Sequence, residues 1–293
     1  MAKRQQFSHG IFPYILLTPQ ILIIAVFFVY PAAKALMMSF MLEDPWGTSS
    51  TFVWFENYTM LFESGEYLAS FGFTLLYSFV VAFLSLAIAL LLAVKANNVL
   101  HGQSTYRITL TWVYAIAPAV AGLIGGFLFS PHIGTLSNFF NDIGWEFDLA
   151  TDSFDAICAL VMVSVWKQVS INFVYFLAGL QSIPSSVKEA AILDCESGVK
   201  RFWTMVFPLL APTTFFLVVI NLTYAFFDTF GIIDTLTEGG PGSHTTSLVY
   251  KVYRDGFIGA DLGGSSAQSV VLLLLVLGLT YFQFKFVEKR VHY

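Results

Sequence analysis

Ser164, Lys167, Gln168, Asn172 and Tyr175 interrupt an otherwise apolar run from Phe154 to Leu180. At about 100° per residue they fall within an arc of roughly 140° on one helix. A hydroxyl, an ammonium, two amides and a phenol therefore share a face. Ionisable groups within a lipid-spanning helix are costly, and they mark a solute path or a charge pair. Lys167 carries this signal most strongly, because no carboxylate lies one helical turn away on its own segment. Its partner is then an anionic solute or a carboxylate from elsewhere, and Asp228 is the candidate. Asn221 and Tyr224 precede Asp228 at helical spacing and give a second polar face. The chemistry on offer is binding, with no bond made or broken. The same groups also serve interhelical hydrogen bonding, and Ser164 taken alone reads that way.

Catalytic patterns do not appear beside these residues. The chain has no G-x-x-x-x-G-K-[ST], no G-x-S-x-G and no H-E-x-x-H. His9, His101, His132, His244 and His292 are scattered without metal-ligand spacing. The chain is expected to be no enzyme and to hold no cofactor. If ATP drives its work, the motor is a separate polypeptide.

The elements that position these groups follow from composition. Of 293 residues, 57% are hydrophobic and 11% charged, against about 25% charged in a soluble domain. Most of the surface must face something other than water. A net charge of −5 gives no basic footprint for nucleic acid. Cys158 and Cys195 sit in unlike surroundings, so no disulfide framework is expected. A bilayer crossing takes about 20 apolar residues, and six segments qualify: Pro13–Ala33, Leu68–Val94, Ile108–Ser130, Phe154–Leu180, Leu209–Gly231 and Ala267–Val287. The basic start MAKRQQFSHG could open a signal peptide, but Pro13, Pro19 and Pro31 and the lack of a small-residue cleavage site favour a retained first span. No alternating ten-residue pattern suggests a barrel.

Lys and Arg fix the expected orientation. Lys3, Arg4, Lys95, Arg107, Lys188, Lys200, Arg201, Lys285, Lys289 and Arg290 fall on one side. Only Lys34, Lys251 and Arg254 fall on the other. Both termini are therefore expected in the cytoplasm, with residues 1–12 as a tail and 13–293 as one transmembrane domain. The opposite loops are acidic, with Glu43, Asp44, Glu56, Glu63 and Glu66 in the first and Asp142, Glu146, Asp148 and Asp152 later.

One cytoplasmic stretch, SIPSSVKEAAILDCESGVKRFWTMVFPLLAP from Ser182 to Pro212, is longer than a connection needs. Ser186 and Glu189 have capping-box spacing, while Pro184 alternatively suits a first helical turn. A short helix through Leu193, a turn over Asp194–Gly198 and a second helix from Val199 to about Phe207 make a hairpin. It reads as a docking surface or as a solvated loop on the membrane.

Glu189-Ala190-Ala191-x-x-Asp194, followed by Gly198, Phe202 and Pro208-Leu209-x-x-Pro212, resembles the EAA loop of ABC importer permeases. Thr237-x-Gly239-Gly240-Pro241 with Thr246, Leu248, Tyr250 and Tyr253 resembles the external segment of their carbohydrate-type members. Phe12-Pro-Tyr14, Ser164-Val-Trp-Lys-Gln168, Ala225-Phe-Phe-Asp-Thr-Phe230 and Ala267-Gln-Ser-Val-Val-Leu272 narrow the likeness to the A-type permeases of sn-glycerol-3-phosphate importers. The resemblance covers nearly the whole chain. It implies an all-α integral membrane protein with six transmembrane helices and the type I ABC importer permease (MetI-like) fold.

The resemblance further implies a bacterial inner-membrane location, with hairpin 182–208 coupling to the motor. The implied partners are a second homologous permease, two cytoplasmic ATPase copies that carry ATP and Mg, and an external solute-binding protein. The solute implied is sn-glycerol-3-phosphate or a related glycerophospho compound, with an uncharged sugar or oligosaccharide as the alternative. A stand-alone secondary transporter would instead show an inverted repeat, and none is seen. Two departures stand out. Cys195-Glu196 replaces the usual Gly-Ala, where a cysteine would strain a positive-φ turn. Ser130 and Ser137 occupy positions often held by asparagine.

Overall fold

Backbone polar groups in lipid must be satisfied within the segment, and helices do this throughout. The computed structural model describes residues 11–43, 49–97, 103–195 and 197–287. In chain order the first half comprises α1 (Pro13–Met38), β1 (Met41–Glu43), β2 (Ser50–Phe52), α2 (Glu56–Glu63), α3 (Gly65–Asn97), α4 (Ser104–Ala115) and α5 (Pro118–Leu128). After it come α6 (Thr135–Asp142), α7 (Ser153–Ser182), α8 (Ser185–Asp194), α9 (Gly198–Arg201), α10 (Ala211–Asp228), α11 (Phe230–Leu236), α12 (Leu248–Tyr253) and α13 (Leu262–Lys285). Lys3, Arg4, His9, Asp44, His101, Glu196, Lys289, Arg290 and His292 lie outside the described residues, as does nearly all of the expected tail.

Five of these helices, α1, α3, α7, α10 and α13, are each long and apolar enough to span a bilayer. The third expected span, Ile108–Ser130, is not one rod. It is α4 and α5, bent by 103° at their junction. Pro118 opens α5, and a residue before proline is driven out of the helical region. Ala117 accordingly sits at φ −62°, ψ 145°, and Ile116 is also extended. The break turns α5 back so that Gly122 meets α11. A Cβ on Gly122 would lie 3.0 Å from the Ile232 carbonyl oxygen, so only glycine permits this approach. Thr235 Oγ1 donates to the Ala119 carbonyl across the same crossing, at 3.1 Å.

The core forms where α3 and α7 run side by side. Tyr77, Val81, Ala89 and Ala93 of α3 face Ala159, Leu160, Val163, Phe173 and Phe176 of α7, all buried. Small residues on α3 let the backbones approach, as lipid-embedded helix pairs require. By contrast, none of the apolar window of α1 is buried, so that helix gives its surface to lipid or to another chain.

At the end of the bundle where α1 closes, the expected all-helical pattern gains one small sheet. Met41 pairs with Phe52 and Glu43 with Ser50 in an antiparallel hairpin. Asn57 Nδ2 donates to the carbonyls of Ser39 and Met41 at 3.0 and 2.9 Å, fixing the hairpin to the end of α1. Asp152 caps α7, accepting from the Phe154 and Asp155 amides at 2.7 and 3.3 Å. Asp155 itself is buried, and it accepts from Trp145 Nε1 at 3.0 Å and the Asp148 amide at 2.8 Å. In the loop before α6, the Ser130 carbonyl accepts from Ser137 Oγ at 2.9 Å and from the Gly134 amide at 2.9 Å, so the Ser137 side chain and the Ser130 backbone close the turn.

Candidate functional site

The polar face of α7 turns inward, toward α3 and α10. Asn172 and Asn221 exchange two hydrogen bonds: Asn172 Nδ2 donates to Asn221 Oδ1 at 2.9 Å, and Asn221 Nδ2 donates to Asn172 Oδ1 at 2.7 Å. Ser85 Oγ of α3 donates to the same Asn221 oxygen at 2.8 Å, and Asn221 Nδ2 also donates to its own Leu217 carbonyl at 2.7 Å. Three helices are thus joined at one amide. Two turns earlier along α7, the Ser164 hydroxyl and the Tyr77 hydroxyl share a hydrogen bond of 2.5 Å. Tyr224 lies beside them, its hydroxyl 3.5 Å from the Ser164 carbonyl. Ser164 therefore has the interhelical role its sequence suggested.

Lys167 lies between these two tiers. Its residue is only 8% exposed. Among the described residues its ammonium makes no ion pair and no hydrogen bond; it rests over the Tyr114 ring of α4, 5.7 Å from the centroid. Such a contact contributes about 0.5–2 kcal/mol, less than the desolvation of an ammonium costs. Gln168 beside it is buried and likewise makes no side-chain hydrogen bond among the described residues.

Two expectations fail here. Lys167 and Asp228 do not form an ion pair; Asp228 is exposed and, among the described residues, has no hydrogen-bond or ion-pair partner. The cause is a wide i→i+5 turn over Tyr224–Asp228. Such a turn inserts a residue, shifting later side chains by about 100° around the axis. Asn221 and Tyr224 stay buried, while Asp228 is exposed, near enough for its charge to act on Lys167 but beyond ion-pair distance. Tyr175 also leaves the polar cluster. It is 38% exposed and packs edge-on against Phe216, with centroids 5.1 Å apart.

Sequence reasoning missed Tyr77, Ser85 and Tyr114. One hydroxyl among apolar neighbours carries no periodic signal; its meaning depends on what lies opposite.

The hairpin forms as expected, with its caps altered. Helix α8 begins at Ser185 with Pro184 at the N-cap, and no side chain caps it. The Ser186–Glu189 box is therefore not made: proline sets the helix start, so the serine already lies within the first turn. Lys188 bends back instead, donating from Nζ to the Leu180 carbonyl at 2.9 Å. That carbonyl is one of the free acceptors at the end of α7, where a cation is favoured. Glu189, Ala190, Asp194 and Gly198 are exposed, as is Pro208, while Ala191 is buried and Phe202 half-buried. Leu193 is 87% exposed, an apolar side chain with no cover in this chain. Cys195 sits at φ −141°, ψ 108°, an ordinary extended conformation. Replacing glycine there strains nothing. Helical structure continues from Gly198 through a wide turn at Phe202–Val206 to Leu209, just before α10.

At the opposite end, α12 is locked to the bundle. The Leu248 amide donates to Thr74 Oγ1 at 2.9 Å. Lys251 pairs with Asp255 at 3.0 Å and Glu66 at 3.5 Å, and Arg254 pairs with Glu66 at 2.6 Å. Glu238 and Gly239 adopt positive φ in the preceding loop, where a Cβ on Gly239 would meet Thr246 and Tyr250. Burial pushes the Tyr250 phenol up from its ordinary pKa. In the acidic loop before α7, the Thr151 hydroxyl and the Ala150 amide hold the Asp148 carboxyl below the usual range.

Comparison with known proteins fits this architecture. Residues 113–293 match the family described as binding-protein-dependent transport system inner membrane component. The sn-glycerol-3-phosphate transport system permease protein UgpA of Rhizobium meliloti (strain 1021) is 50% identical over 291 residues, 99% of each chain. Its counterpart in Brucella suis biovar 1 (strain 1330) is 51% identical over 291 residues, again 99% of each, and that of Yersinia pestis is 49% identical at the same coverage. Among solved structures, a chain of a bacterial ABC transporter involved in import of the acidic polysaccharide alginate superposes with a TM-score of 0.78 at 22% identity, covering 94% of this chain and 96% of that one. That likeness concerns the fold. Full-length identity near one half, the family match and the buried polar seam between spanning helices lead to one conclusion: this chain belongs to the binding-protein-dependent transport family and is a multi-pass inner-membrane permease subunit of an ABC importer, not an enzyme.

Proposed function

We propose that this permease forms half of a path for sn-glycerol-3-phosphate or a related glycerophospho compound. The carrying observation is Lys167, a buried ammonium halfway along α7 with no carboxylate within ion-pair distance among the described residues. A cation at that depth, with Asp228 acting on it only from beyond contact, is stabilised by an anion that passes. A phosphate ester brings nearly two negative charges at neutral pH. Relatives at about one-half identity carry sn-glycerol-3-phosphate in their names, which supports the same solute class. The exposed face of α8 docks on a cytoplasmic ATPase that binds ATP and Mg; a second permease and an external binding protein complete the importer. In this arrangement both termini are cytoplasmic, and residues 13–293 form one domain. ATPase closure moves the hairpin and switches the access of the path.

The test is Lys167→Met, which keeps most of the length and removes the charge. A hydrogen bond to a charged group contributes about 1.5–3 kcal/mol, so transient binding should weaken about tenfold or more. Uptake of a glycerol phosphate should fall accordingly while complex yield and basal ATP hydrolysis persist. Normal uptake by a well-assembled variant refutes the anion reading and favours an uncharged sugar.

A further inference from the structure

Where α3 ends, its last turns and the hairpin enclose a cleft of about 1010 Å³. Its walls are apolar, with Leu91 of α3 on one side and Phe202 and Trp203 on the other. Among the described residues three cations line it as well, Lys95, Lys188 and Arg201, and no aspartate or glutamate does. Leu91 is 66% exposed and Trp203 57%, so both surfaces are uncovered in this chain.

The cations have capacity to spare. Lys95 is exposed and has no partner among the described residues. Lys188 uses one of its three N–H groups on the Leu180 carbonyl. Arg201 makes one long contact, 3.4 Å, to the Cys195 carbonyl, leaving most of its five donors open. An occupant must therefore be amphipathic, with an anionic head and an apolar tail, and it must reach the end of a lipid-spanning helix. We propose that the cleft binds an anionic phospholipid. Its phosphate is held by Lys95, Lys188 and Arg201, and an acyl chain lies along Leu91, Phe202 and Trp203. Basic pockets between spanning helices on one leaflet take such head groups for this combination of charge and grease. Seated there, the lipid would bridge α3 to the hairpin and make the hairpin's position sensitive to the surrounding leaflet.

The experiment uses the permease purified together with its partner subunits in phosphatidylcholine nanodiscs. Phosphatidylglycerol with a photoreactive acyl chain is titrated in, and cross-links are mapped by mass spectrometry. Labelling is expected within residues 199–206, at least about tenfold above that by the matching phosphatidylcholine probe. Lys95→Gln with Arg201→Gln should lower it about a hundredfold or more, from the loss of two charge-assisted contacts, and Lys95→Arg should retain it. Inorganic phosphate should not compete. Equal labelling by the neutral lipid refutes the head-group role. No labelling in this segment shows that a partner subunit fills the cleft, and competition by free phosphate shows a soluble anion site; either overturns the proposal.

Discussion

The Asn172–Asn221 pair offers a direct measure of what holds the spanning helices together. Asn172→Ala removes two interhelical hydrogen bonds. Asn221→Ala removes those two and the bond from Ser85. In bilayers such bonds average about 0.6 kcal/mol and reach about 1.7. Asn172→Ala should therefore cost about 1–2 kcal/mol and Asn221→Ala about 2–3. The double variant should cost little more than Asn221→Ala alone, because two bonds are common to both. The coupling energy is then about 1–2 kcal/mol. Unfolding of the purified permease in mixed micelles, followed by sodium dodecyl sulfate titration, reads each value. Strict additivity, with coupling under about 0.3 kcal/mol, would refute the reciprocal pair. The two amides would then be solvated separately or bonded elsewhere.

Two further outcomes follow from the geometry. Glu189→Ala or Asp194→Ala should leave the complex assembled but separate ATP hydrolysis from uptake, since both side chains are exposed on the proposed coupling face; normal transport by both, at normal complex yield, would remove the role. Gly122→Ala should destabilise the permease by about 1–3 kcal/mol, the range for overpacking, because the new Cβ meets Thr235 Oγ1 and the Ile232 backbone. Adding Thr235→Ala should recover only part of this, since the carbonyl contact at 3.0 Å remains; unchanged melting of Gly122→Ala would show that the crossing is looser.

How much of this the sequence disclosed depends on the range of the interaction. The α7 face was legible because five polar residues repeat at helical spacing within one segment. The hairpin was legible because its charge breaks a greasy chain. Both signals are local. The 103° bend at Pro118 was in principle readable, since proline excludes its predecessor from the helix. Hydropathy over Ile108–Ser130 masked it, being uniform through the break. Asp228 acts on Lys167 without reaching ion-pair distance; spacing arguments assume 3.6 residues per turn, and the wide turn at Tyr224–Asp228 departs from that. The Ser186–Glu189 box failed for a competing local reason, the proline two residues earlier that sets the helix start. Tyr77 and Ser85 could not be found at all, as each gains meaning only from a partner 87 or 136 residues away.

Hydrogen-bonding capacity separates the buried polar groups into two kinds. Asn221 has two N–H donors, and both are used, on Asn172 and Leu217. Its oxygen already accepts from Ser85 and Asn172. An amide can do no more. Asn221 cannot contact a passing solute without breaking a bond that spaces the helices. Lys167 is the opposite case, with three donors and no acceptor among the described residues. On the proposed function, selectivity is therefore assigned to Lys167 and the neighbouring Gln168, and architecture to the asparagines. The distinction is measurable in one set of variants. Asn172→Ala should lower stability and yield while uptake per assembled complex keeps its preference for phosphate esters over the dephosphorylated polyol. Lys167→Met should keep yield and lose that preference. If Asn172→Ala instead abolishes the preference at normal yield, the asparagine pair must open during transport to receive the solute, and the division drawn from capacity fails.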